Sequence, residues 1–104
     1  SPEAIKAGLG EWILSASIDQ STKGKGLQAQ KLSELFKAIP GKDLPEDPRL
    51  TEKAKILPFN VDKDKNWHDY LNKNAKEQKL HLHSISMRKP TLADAYLYYT
   101  STLK

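Results

Sequence analysis

The chain has 104 residues, 38% of them hydrophobic, which is enough for one domain around a modest core. It contains no cysteine, which excludes disulfides, thiol catalysis and zinc–thiolate sites, and no apolar run in it is long enough to cross a bilayer. A formal net charge of +4 fits an anionic neighbour, and equally a solvated surface with a small lysine excess.

Ser1 to Ala7 reads as one or two helical turns, with Ser1 as cap, Pro2 at the first helical position and Gly8 or Gly10 as the stop. Nothing there reads as a signal peptide. Trp12, Leu14, Ala16 and Ile18 alternate with Ile13, Ser15 and Ser17, the pattern of a half-buried strand. Asp19 to Gly26 is polar and holds two glycines, so a loop is expected. Leu27 to Ile39 predicts an amphipathic helix, with Leu32, Leu35, Phe36 and Ile39 inward and Gln28, Gln30, Lys31, Glu34 and Lys37 mostly outward. Pro40-Gly41 ends it.

Lys42 to Lys53 is irregular, with Pro45 and Pro48, and has room for a short edge strand or a helical turn. Ala54 to Val61 predicts a strand with Leu57, Phe59 and Val61 on one side; Pro58 removes a ladder donor and suggests an edge or a bulge. Asp62 to Lys65 is a charged turn. Asn66 then caps a helix to about Gln78, with Trp67, Tyr70, Leu71 and Ala75 inward. Lys79 to Lys89 is the last strand. Leu80 and Leu82 share one side of it and Ile85 and Met87 the other, so a bulge near Ser84 or burial on both sides is expected.

Pro90 stops that strand. Thr91 can cap a terminal helix by accepting the N–H of Asp94, and Asp94 sits where a capping box and the helix dipole favour a carboxylate. Leu92, Ala95, Tyr96, Tyr99 and Leu103 form the expected apolar stripe of this helix, leaving Tyr98 off it and exposed. If Lys42 to Lys53 supplies a strand, the order is βαββαβ plus a helix. The fold class is then α+β, a ferredoxin-like split βαβ sandwich with an added C-terminal helix and one strand degenerate.

Four features invite a chemical reading. Lys23-Gly24-Lys25-Gly26 lacks the spacing of a phosphate-binding loop, since Leu27 follows where lysine and a hydroxyl residue are needed. His81 and His83, two apart on a strand, would point the same way, but without further ligands, and with His68 on a helix, they read as surface histidines. Lys73, Lys76 and Lys79 follow Trp67, His68 and Tyr70, which suits either nucleic-acid contact or a solvated helix face. Tyr96, Tyr98 and Tyr99 crowd the last helix in a composition common at protein interfaces, and Tyr98, Tyr99 and Leu103 are the interface candidates. No serine, histidine and acid arrangement suits nucleophilic catalysis.

Both ends of the chain carry a resemblance. Pro90-Thr91-Leu92-Ala93-Asp94-Ala95-Tyr96-Leu97 resembles the strand–Pro-Ser/Thr-Leu-Glu-Asp-Val/Ala-Phe-Leu–helix ending of the small C-terminal accessory domain that follows the nucleotide-binding core in bacterial ABC-transporter ATP-binding subunits. Ala93 replaces the usual Glu and Tyr96 the usual Phe, and neither breaks the corner; Pro90, Thr91, Leu92, Asp94 and Tyr96 are its structural motif. Ser1-Pro2-Glu3-Ala4-Ile5-Lys6 is similar to the segment that closes the ATPase core of the same family, while Lys42 to Lys65 does not match well.

The resemblance implies that residues 1–10 are the tail of a preceding ATPase core and that 11–104 form one accessory domain. It implies the same ferredoxin-like arrangement. It also implies no catalytic, cofactor or metal residue in this fragment, ATP and Mg²⁺ being bound by the missing core. The expected partners are that core, its dimer mate, a transmembrane transporter subunit and a second copy of the domain. The expected place is the cytoplasmic face of the membrane, without direct insertion. The fragment would be a regulatory domain acting by contact rather than an enzyme. The alternative is a small basic nucleic-acid-binding module using the Lys73, Lys76 and Lys79 face; a small-ligand sensor rests on fold analogy alone.

Overall fold

The computed structural model describes residues 12–19, 25–45, 52–58 and 66–102. In chain order the elements are β1 (Trp12–Ile18), α1 (Lys25–Lys37), β2 (Lys42–Asp43), β3 (Glu52–Leu57), α2 (Trp67–Glu77), β4 (Leu82–Arg88) and α3 (Leu92–Thr102). The sheet order is β2-β3-β1-β4 and every neighbouring pair is antiparallel. α1 therefore carries the chain from β1 to β2 past β3, and α2 from β3 to β4 past β1. This is the split βαβ, ferredoxin-like arrangement with one additional helix. The irregular segment supplies β2, a strand of two residues. The expected helical turns over residues 1–7, the turn at 62–65, Phe59, Val61, Leu103 and the boundary at residue 10 lie outside the described residues.

One face of the sheet is covered by α1 and α2. Leu14, Ala16 and Ile18 of β1 meet Leu32, Leu35 and Phe36 of α1, Ile39 just beyond it, and Trp67, Leu71 and Ala75 of α2. Tyr70 adds its ring to this layer, edge-to-face with Trp67 at 5.4 Å, and donates its hydroxyl to the Leu35 carbonyl. Both helix stripes thus face as their periodicity predicts. Asn66 caps α2 as expected, its Oδ1 accepting the Asp69 N–H at 3.0 Å.

Several local expectations are corrected. β1 is buried on both sides, because Ile13 is as inaccessible as Leu14. β3 ends at Leu57, one residue before Pro58, and lies between β2 and β1, so it is neither an edge strand nor bulged; pairing stops before the proline's missing donor matters. Lys55 shares the side of Leu57, is buried, and donates Nζ to the Phe36 carbonyl at 2.7 Å, where a cation complements the C-terminal end of α1. Gln28 is also inward. Its Nε2 donates to the Lys79 carbonyl and its Oε1 accepts the His81 N–H, which ties α1 to the segment between α2 and β4.

That segment is not yet strand. Lys79 (φ 57°) is left-handed, its N–H donates to the Lys76 carbonyl, and the Leu80 N–H donates to the Ala75 carbonyl at 2.8 Å. These two bonds make a Schellman stop to α2, and a left-handed lysine there costs about 1 kcal/mol. β4 begins only at Leu82. The bulge expected near Ser84 is present: the β1–β4 register shifts between Ser17 and Ile18, so Ser84 faces Ser17 while Leu82 faces Ile18. His83 is the extra residue, and Leu82 and Ile85 both reach the helix-covered layer.

Candidate functional site

The opposite face of the sheet is where α3 lies. Arg88 is the last residue of β4 and Pro90 prevents the ladder from continuing. Thr91 takes the cap position: its Oγ1 accepts the Asp94 N–H at 3.3 Å, and its carbonyl accepts the Ala95 N–H. Asp94 answers reciprocally, with Oδ2 accepting the Thr91 N–H at 2.7 Å and the Thr91 hydroxyl at 2.9 Å. The capping box is thus formed with Asp in the place usually held by Glu or Gln.

A further partner was not read from the sequence. Arg88 donates Nη1 to Asp94 Oδ2 at 2.5 Å and Nη2 to Asp94 Oδ1 at 2.8 Å, a bidentate pair across the corner. Asp94 is only 5% exposed. Hydrogen bonding from Arg88 holds its carboxyl below the usual aspartate range, against the upward pull of burial and with help from Thr91. The Arg88 guanidinium is correspondingly raised, chiefly by the same bond. The i and i+6 spacing of an Arg and an Asp on either side of a Pro-Thr corner was the available signal.

The ion pair sets the rotation of α3. For Asp94 to reach back to Arg88 and Thr91 it must face the sheet, and that brings Ala95 and Tyr98 down onto Ile13, Leu44 and Ile56. Lys42 Nζ lies 5.2 Å from the Tyr98 ring centroid, a cation–π contact at the far side of the sheet. The expected stripe is therefore corrected. Of Leu92, Ala95, Tyr96 and Tyr99 only Ala95 is buried; Tyr98, expected outside, is half-buried. The inward face is turned by about 100°, one residue step of a helix. As a result Leu92 is 48% exposed, Tyr96 70% and Tyr99 43%, the Tyr99 ring leaning on Tyr98 at 5.2 Å. Leu92, Tyr96 and Tyr99, spaced four and three apart, form an outward apolar stripe with Leu97 beside it.

The rest of this face is polar. Ser15 and Ser86 Oγ atoms lie 2.6 Å apart, and those of Ser17 and Ser84 lie 2.7 Å apart, in two cross-strand hydroxyl pairs. The other candidates are scattered. His81 precedes β4 and His83 is the bulge residue, so strand alternation does not align them; among the described residues no group of three His, Cys, Asp or Glu side chains is placed to hold a metal ion. Lys73, Lys76 and Lys79 are exposed, as is His68, while Trp67 and Tyr70 turn into the core, so of the three rings that precede the lysines only the imidazole stays outward. Gly26 and Leu27 lie in α1, and no helix among the described residues is long and apolar enough to cross a membrane.

No protein-family model matches the chain, and no curated protein matches it either.

Proposed function

We propose that this chain is a non-catalytic accessory domain of an ABC-transporter ATP-binding subunit and that it acts by protein contact through α3. The observation that carries the reading is the orientation of that helix: an ion-paired, capped corner directs Leu92, Tyr96 and Tyr99 away from the domain's own core. Large apolar side chains held outward on a rigid element are the composition of a docking surface. The resemblance of Pro90–Leu97 and Ser1–Lys6 to the accessory-domain ending and the core ending of that family supplies the class of partner, an ATPase core. Contact made in one state of that core and not in another would bias its open–closed equilibrium by the difference in contact energy. Tyr96 carries most of the contact, being the most exposed side chain of the stripe and one of its two tyrosines.

The coding sequence immediately upstream of Ser1 tests the class. An ABC nucleotide-binding core ending there is expected. A start codon at that point, or an unrelated domain, contradicts the proposal.

A further inference from the structure

The two edges of the sheet are unlike. β2 has two residues and runs on to Pro45, so its edge offers little backbone to a further strand. β4 is the other edge and has seven residues; among the described residues no strand pairs with its outer side. The bulge is confined to His83, and Ser84 to Arg88 run in regular register with Ser17 to Ile13. From Ser84 to Met87 there is no proline and no charged side chain, the devices by which edge strands refuse a neighbour. Ile85 is half-buried and Met87 exposed on the side that carries the helices, while Ser84 and Ser86 lie on the other.

We infer that β4 pairs with β4 of a second copy of this chain, antiparallel across a two-fold axis at Ser86. The register is self-complementary, as an isologous contact requires. On the helix-covered side it sets Ile85 opposite the second copy's Met87, twice over. On the other side Ser86 meets Ser86 and Ser84 meets Arg88, so the hydroxyl pairing of Ser15 with Ser86 continues into the second sheet. The two Arg88 side chains fall at opposite ends, separated by about 14 Å at the rise of a strand, beyond effective range in salt. An axis one residue earlier draws the bulged His83 into the pairing, and one residue later sets Lys89 opposite Ile85. Ser86 is therefore the register the strand favours. The inference stands on the sheet edge alone and holds whether or not an ATPase core precedes the chain.

Sedimentation equilibrium across micromolar to millimolar concentration measures the association of the 11.7 kDa chain, and amide hydrogen exchange locates it. A monomer–dimer equilibrium is expected, with outward amides of Ser84–Arg88 gaining protection as concentration rises. Ser86→Lys and Ser86→Glu each place like charges opposite one another at the axis. Each is expected to weaken the dimer at least ~tenfold with an unchanged circular dichroism spectrum, and an equimolar mixture of the two is expected to restore it. A wild-type chain that stays monomeric, protection gained in α3 and not in β4, or a mixture that associates no better than either variant would overturn the inference.

Discussion

On one face of the sheet two helices close over a continuous layer of aliphatic and aromatic side chains; on the other a single helix touches down through Ala95 and Tyr98 and is held at its start by an ion pair. The first face is fastened by area. Its hydrophobic residues are shared among three strands and two helices, so no one contact sets the position of the rest. The second face is fastened by a few directional bonds, and its rotation follows from one carboxylate. That difference explains why the helix-covered face buries the stripes of both its helices, with Leu27 and Met87 left exposed, whereas α3 keeps Leu92, Tyr96 and Tyr99 outward.

The contrast is broken most severely from the helix-covered side. Leu71 is fully buried between α2 and that layer, and Leu71→Ala is expected to destabilise the domain by about 3 kcal/mol, read as a lower denaturant midpoint with one cooperative transition. Asp94→Ala should act locally. It removes the Arg88 ion pair, whose carboxylate side is buried, and the two Thr91 bonds that are its half of the capping box, costs about 2 kcal/mol, and frees α3 while the sheet and the other helices persist. Hydrogen exchange separates the two outcomes: α3 amides lose protection and those of β1 and α2 keep theirs. Equal loss in β1 would show that the faces are not independent.

Acid probes the same carboxylate without a substitution. Because the folded-state value of Asp94 lies below its unfolded value, its contribution is complete above the ordinary aspartate value of about 4 and is lost as pH falls through the folded one. Protection of α3 is therefore expected to be flat from pH 5 to neutrality and to fall on acidification below about pH 4. The raised Arg88 value adds no change in that interval, since its contribution is lost only in strong alkali. A smaller effect of opposite sign belongs to the helix-covered side. Lys79→Gly relieves a left-handed lysine and should stabilise by about 0.5–1 kcal/mol, measured as a rise in Tm.

The helix-covered face was almost entirely readable in advance, because its elements obey their own periodicities: Leu32, Leu35, Phe36 and Ile39 on one helix, Trp67, Tyr70, Leu71 and Ala75 on the next. The Pro90–Thr91–Asp94 corner was readable for the same reason, being local chemistry within five residues. What escaped was decided over longer range. Ile13 is buried because a helix about eighty residues away lies across it, and no alternation within Trp12–Ile18 reports that. Gln28 looks like a solvent residue of an amphipathic helix until the α2–β4 turn presents it with a carbonyl and an N–H. Tyr98 and Tyr96 exchange roles because Arg88, outside the helix, sets the angle at which the helix meets the sheet. The hydrophobic pattern of α3 records both of its faces at once, and only the ion pair tells which one is turned inward.

The most direct measurement exploits the absence of cysteine, which makes any introduced thiol unique within this chain. Tyr96→Cys on the outward stripe and Glu77→Cys on the exposed side of α2 are each joined to a short photo-crosslinker in the protein expressed at its native locus, and the adducts are mapped by mass spectrometry. The account predicts that the thiol at 96 crosslinks to an ABC ATPase core, its own or that of the paired subunit, and that the thiol at 77 does not. Crosslinking to such a core from 77 with none from 96 would contradict it.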